Sequence, residues 1–301
     1  MRSWIGRAFA GALGIVCAMS AARGAAEVGA VASARARTPS GAARAPGAER
    51  RETPPRALSS TRDEPAGVDA DPDAAREPIV LDERPEEPGL IAYPPRAGRQ
   101  RGLAVFLHGM CDEPEWECPR VSDGVADHGW LVCPRAPLRC SGGGSIWPGD
   151  DRHVAAVDAS VSRFDREVAP IDASAPRTLI GFSLGALRAA ELVQRRRGGW
   201  QSAILIGAKV QLDARRLRAA GLERVVLMAG ERDMMKWHMV GQARALARAG
   251  FPVAFVSLGP VGHTLPRVLP DAVRRSLLWA GGEDGALTPS TDRNSGELVA
   301  P

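Results

Sequence analysis

Short, uninterrupted apolar runs alternate with stretches in which apolar residues recur every three or four positions, from Ile79 to Gly281. Leu103–Leu107 (LAVFL) has no polar interruption, as expected of a strand buried on both faces. Trp130–Cys133, Thr178–Ile180, Ala203–Ile206, Val225–Met228 and Val253–Val256 have the same character. Ile79–Leu81 and Leu90–Tyr93 add edge strands ahead of them. Between the runs, Val154, Val157, Val161, Phe164 and Val168 lay one apolar stripe along a helix. Leu184–Arg197 predicts a helix stopped by Gly198-Gly199, and Gln242–Ala249 one stopped by Gly250. Pro270 opens a last helix over Asp271–Trp279. This alternation predicts an α/β fold, a mostly parallel sheet with helices on both faces. The segment 79–281 is about two hundred residues long, enough for one complete core, and shows no internal repeat.

The flanks have a different pattern. Arg2 and Arg7 precede the apolar run Ala8–Ala22, and small residues follow at Gly24 and Ala25. That order reads as a secretory signal peptide over 1–25, too short to remain as a membrane span. Cys17 opens a lipoprotein alternative, although Val16 stands where a small residue is expected. Segment 26–78 is rich in Pro, Ala and Arg; between Glu27 and Pro78 its large aliphatics are Val28, Val31, Leu58 and Val68. Such a chain cannot offset its ordering entropy by burial and is expected to be a disordered linker. The tail 282–301 has similar composition and carries the same expectation.

Composition narrows the function classes. A mean hydropathy of −0.14 without a second long apolar run excludes a multi-span membrane protein, and no integral span is expected once the signal is removed. Aromatic residues make up 5%, too few for an RNA-binding sheet of stacking platforms. Of 39 basic residues only Lys209 and Lys236 are lysines, and acidic residues are interspersed throughout. The formal charge of +4 therefore forms no nucleic-acid footprint. A monomer is expected. In an exported chain Cys111, Cys118, Cys133 and Cys140 predict disulfides; of the three possible connectivities the local pairs Cys111–Cys118 and Cys133–Cys140 are favoured. Zinc is the alternative, but the spacing is wider than that of a zinc knuckle.

Candidate chemistry falls on loops that follow predicted strands. Gly181-Phe182-Ser183-Leu184-Gly185 lies between a strand and a helix, the setting of a G-x-S-x-G nucleophile elbow. Leu107-His108-Gly109-Met110 follows the LAVFL strand; Met110 N–H and Leu184 N–H are the candidate oxyanion donors, and His108 is expected to brace the loop. Val225–Met228 runs into Gly230-Glu231-Arg232-Asp233, where Asp233, with Glu231 as fallback, could orient a histidine. His263, in the Gly- and Pro-rich loop after Val253–Val256, stands where a general base for Ser183 belongs. His128 and His153 read as surface residues of helices, and His238 as a lid or surface residue.

The order Ser183, Asp233, His263, with the motifs LHGM, GFSLG, GERD and GHTLP, resembles compact secreted α/β-hydrolases of the carboxylesterase, lysophospholipase and dienelactone-hydrolase-like group. The resemblance spans Leu103 to Pro266. It implies hydrolysis of a small-molecule ester or thioester through a serine acyl-enzyme, with no metal or organic cofactor. Dienelactone hydrolases carry cysteine at the elbow, and Ser183 departs from them. The short interval from Cys133 to Asp151 leaves no room for a large cap domain, so the site should be open. Trp147, after Gly142-Gly143-Gly144, either lines the cleft or packs on Pro148 and the disulfide. Trp237, with Met234, Met235 and Met239, either rims an acyl site or belongs to the core. A serine peptidase on the same fold, or a catalytically inactive envelope protein in which the fold only binds or scaffolds, are the rival readings.

Overall fold

The structure is a computed structural model, which describes residues 76–96, 102–195, 199–287 and 298–300. The expected signal peptide and the linker up to residue 75 lie outside them. Strands β1 (Ile79–Leu81), β2 (Leu90–Tyr93) and β3 (Gly102–Leu107) come first, followed by helices α1 (Pro114–Glu117) and α2 (Pro119–Val125). Then come β4 (Gly129–Pro134), the hairpin β5 (Leu138–Arg139) and β6 (Ser145–Ile146), and helix α3 (Arg152–Glu167). The chain continues through β7 (Arg177–Phe182), α4 (Leu184–Val193), β8 (Ser202–Ile206), α5 (Ala214–Ala220) and β9 (Arg224–Ala229). It closes with α6 (Lys236–Arg248), β10 (Val253–Ser257), α7 (Leu269–Ala280) and β11 (Leu298–Ala300).

The main sheet runs β1-β2-β4-β3-β7-β8-β9-β10-β11. β4, β3, β7, β8, β9 and β10 are mutually parallel, and antiparallel pairings occur at β1/β2, β2/β4 and β10/β11. Alternation along each strand sorts residues to two faces. Leu103, Val105, Leu107 and Leu179 pack beneath α3, α4, α5 and α6. Ala104, Phe106 and Ile180 pack against α2 and α7. The α/β class, the mostly parallel sheet and helices on both faces are as the sequence predicts. Because parallel strands share one direction, the loops after β3, β7, β8, β9 and β10 all emerge at the same edge.

Some elements differ from expectation. α6 starts at Lys236 rather than Gln242, because Lys236, Met239, Val240, Ala243 and Leu246 bury one face that Trp237, His238 and Gly241 obscure in the sequence. α5 was not anticipated; Asp213 caps it by accepting the Arg216 N–H at 2.9 Å, and Gly221 (φ 85°) ends it. The tail expected to be disordered from 282 buries Leu287 and supplies β11, which pairs with β10.

The disulfide pairing is also different. Cys111 joins Cys140 and Cys118 joins Cys133, with Cα separations of 5.7 and 6.3 Å. The local pairing fails because Cys118, at the α1–α2 junction, faces the sheet and meets Cys133 on β4, both fully buried. Cys111 instead meets the β5–β6 hairpin, where the Asp112–Ser145 bridge draws the chains together. Cys111 is exposed and Cys140 half-buried. Mild reduction without denaturant should therefore open Cys111–Cys140 first, and alkylation with peptide mapping should find label on 111 and 140 but not on 118 and 133. Equal labelling of both pairs would contradict that order.

Candidate active site

Ser183 follows β7 with φ 53° and ψ −116°, a conformation that costs a non-glycine residue about 1–3 kcal/mol. The surrounding glycines allow the tight turn that holds it. A Cβ at Gly181 would lie 2.7 Å from the Ala186 Cα, and one at Gly185 would overlap the Leu107 carbonyl oxygen. The turn leaves the Ser183 hydroxyl at the carboxyl edge of the sheet, on the first turn of α4.

There Ser183 Oγ lies 2.9 Å from His263 Nε2, and His263 Nδ1 lies 2.9 Å from Asp233 Oδ2. With Nδ1–H donating to the carboxylate, Nε2 is free to accept the serine proton. Asp233 is buried, and its Oδ1 accepts the Met235 N–H at 2.8 Å, which fixes the carboxylate. Phe182 stacks on the imidazole at 5.0 Å. Gly207 (φ 61°) lets the loop after β8 pass the pair, since a Cβ there would lie 3.0 Å from Asp233 Oδ2. The alternative carboxylate, Glu231, is exposed and accepts from the Ser257 hydroxyl at 3.4 Å, away from the imidazole.

The loop after β3 is braced from every side. His108 is fully buried, with Nδ1 donating to Gly109 O at 2.8 Å and Nε2 accepting the Ala136 N–H at 3.2 Å. Burial lowers its pKa to about 4, so it is a neutral strut at ordinary pH. Met110 is 62% exposed. Leu184 N–H, first in α4, is one of the helix's donors without an intrahelical acceptor. Glu117, which sequence reasoning missed, accepts the Gly109 N–H at 2.9 Å.

Trp147 does not line the cleft. It is 1% exposed, and its Nε1 donates to His108 O at 3.1 Å, because the glycine run before it folds into the β5–β6 hairpin and turns the indole inward. Trp237 is 72% and Met234 77% exposed, directly after Asp233, whereas Met239 is in the core. His153 is not a surface residue but fully buried, with Nδ1 on Asp150 O, whereas His128 is half-buried, and burial lowers its pKa to about 4. His238 is exposed on α6. Among the described residues no cluster of His, Cys, Asp or Glu could hold a metal ion, and no helix is long and apolar enough to cross a membrane.

No family model and no curated protein sequence matches the chain. Solved structures do. An esterase described as PE8 shares 21% identity over 63% of this chain and 97% of its own, with a TM-score of 0.50. A carboxylesterase from Mesorhizobium loti shares 22% over 68% and 99%, with a TM-score of 0.50. A Pyrobaculum calidifontis esterase shares 14% over 70% and 86%, with a TM-score of 0.52. With the strand order and the elbow after β7, these likenesses identify the architecture: the chain has the α/β-hydrolase fold.

Proposed function

We propose that the protein is a serine hydrolase that cleaves carboxylic esters or thioesters through an acyl-enzyme. The observation that carries this reading is the hydrogen-bonded chain Ser183–His263–Asp233, set on a strained elbow with both links at 2.9 Å. Ser183 Oγ attacks the carbonyl carbon as His263 Nε2 takes its proton, and Asp233 supports the resulting imidazolium. Met110 and Leu184 N–H groups stabilise the oxyanion. His263 then gives its proton to the departing alcohol or thiol. Water, deprotonated by the same nitrogen, releases the acid and restores Ser183. Every step uses groups of this chain, so no cofactor is required.

The exposed Trp237 and Met234, which follow Asp233 in the chain, are the apolar side chains offered to the substrate. We further propose that the chain is exported and acts as a monomer. Two disulfides and the basic, apolar, then small-residue order of its first residues support export.

Intact mass before and after a fluorophosphonate probe tests the hydrolase reading, with Ser183→Ala as control. One adduct on the wild type and none on the variant is expected. Absence of an adduct on folded wild-type protein would overturn it and turn attention to a binding role.

A further inference from the structure

Glu117, the last residue of α1, has no part in the mechanism above, yet it is buried beneath the loop that carries Met110. Its Oε2 accepts the Gly109 N–H at 2.9 Å. A Cβ at Gly109 would stand 3.1 Å from Glu117 Oε1 and 3.4 Å from the Phe182 ring, the ring stacked on His263. The carboxyl thus touches the oxyanion loop close to the ring that backs the general base.

The Asp112 side chain lies next to the Glu117 carboxyl, within reach of a shared hydrogen bond. Asp112 is itself held, with Oδ1 accepting the Glu113 N–H at 2.9 Å and its backbone bridged to Ser145. Two carboxyls share a hydrogen bond only when one keeps a proton. Burial first, then the Asp112 contact, raise the Glu117 pKa to about 8, against the opposing pull of the Gly109 N–H and Arg120. At neutral pH Glu117 is therefore the acid: its O–H donates to Asp112 while its other oxygen accepts from Gly109.

The neighbouring charges leave this arrangement intact. Glu113 and Glu115 on the same segment are taken by Arg135. Arg120, on α2, reaches the Leu265 carbonyl at 3.4 Å. His108, in the same loop, is neutral, and His263 lies beyond Phe182.

We propose that protonated Glu117 is a positioning residue for the oxyanion loop, and that its ionisation suppresses acyl transfer by placing a buried negative charge beside the oxyanion hole. The proposal rests on the serine-hydrolase reading. Holding Gly109 N–H and Asp112 together fixes the loop one residue before Met110. Once the proton goes to solvent, Glu117 and Asp112 repel each other and the new charge opposes the developing oxyanion. Acylation and deacylation both pass through that oxyanion, so kcat and kcat/KM should fall together.

The test is the pH profile of kcat/KM on a neutral ester, and of the fluorophosphonate labelling rate, for wild type, Glu117→Gln and Glu117→Ala. Wild-type rates should fall by roughly ten- to a hundredfold across a midpoint near pH 8. Glu117→Gln should lose this fall, since the carboxamide can accept from Gly109, donate to Asp112 and never ionise. Glu117→Ala should be slow at every pH.

Melting temperatures give a readout independent of catalysis. The folded pKa is raised, so the stabilisation is full below the unfolded value of 4.5 and is lost as pH rises through about 8. Glu117→Gln should therefore melt several degrees above wild type beyond pH 8, with the gap closing toward acid. An unchanged alkaline fall in Glu117→Gln, or no fall in the wild type, would overturn the proposal. If the wild type takes no probe at all, the hydrolase reading fails instead, while a melting gap that does not widen with pH would refute the retained proton.

Discussion

Replacing His263 with alanine is expected to lower kcat/KM on an activated ester by about 10⁴-fold or more. The reason is geometric. His263 Nε2 is the group hydrogen-bonded to Ser183 Oγ, and no other histidine among the described residues can stand in for it. His108 is buried and committed to Gly109 O and Ala136 N–H, while His153 is held on Asp150 O. Ser183→Ala should lose about as much, and the double variant no more than either alone, because the pair works as a unit. Asp233→Asn should approach the same loss by a different route. The carboxylate accepts both His263 Nδ1–H and Met235 N–H, and an amide that donates toward Nδ1 would favour the tautomer that leaves Nε2 protonated. Steady-state rates on a nitrophenyl ester, corrected for background hydrolysis, check all of these. A His263→Ala enzyme within tenfold of wild type would remove His263 as the base.

These residues are legible in the sequence because each follows a continuous apolar run. A buried parallel strand announces itself by uninterrupted Val, Ile and Leu, and its carboxyl end fixes where the next loop emerges. Ser183, Asp233 and His263 lie one, four and six positions beyond the ends of β7, β9 and β10, so the strand pattern alone brings them to one edge. The glycines of GFSLG add a backbone requirement that can be read directly, since Ser183 at φ 53° needs close-packed neighbours without side chains.

What the sequence hides depends on lateral packing. Nothing near Glu117 distinguishes it from Glu113 or Glu115, because its burial depends on α1 folding back under the Gly109 loop. The cysteine pairing is hidden for the same reason. Local spacing favours Cys111–Cys118 and Cys133–Cys140, but Cys118 faces β4 while Cys111 faces a hairpin that the glycine run at 142–144 creates. Trp147 follows from that hairpin as well: the flexibility that made it a candidate cleft residue is what turns its indole under His108. Trp237 and Met234 are the opposite case, apolar residues for which the sequence leaves rim and core both open: Trp237 stands outward on α6 with the buried stripe on the other side, and Met234 is exposed just before that helix.

The requirement for a bare backbone at the elbow yields the largest structural effect. Gly185→Ala should destabilise the fold by about 3 kcal/mol or more, read as a lower denaturant midpoint at an unchanged slope. The added methyl would overlap the Leu107 carbonyl oxygen and sit 2.6 Å from the His108 carbonyl oxygen, so the obstacle is backbone and cannot rotate aside. Relief requires α4 to move away from β3. That displacement separates the two proposed oxyanion donors, Leu184 on α4 and Met110 beyond β3, so the surviving folded fraction should react poorly with a fluorophosphonate even though Ser183, His263 and Asp233 are all present. Gly241→Ala is the matched control. Gly241 is exposed within α6 with open space around its Cα, and alanine there should stabilise by up to about 1 kcal/mol through helix propensity, with labelling untouched. Equal stability of the two variants would mean that the close approach of α4 to β3 is not what holds the elbow in shape. A stable Gly185→Ala protein with normal labelling would go further, showing that the oxyanion donors are not the pair that straddles this contact.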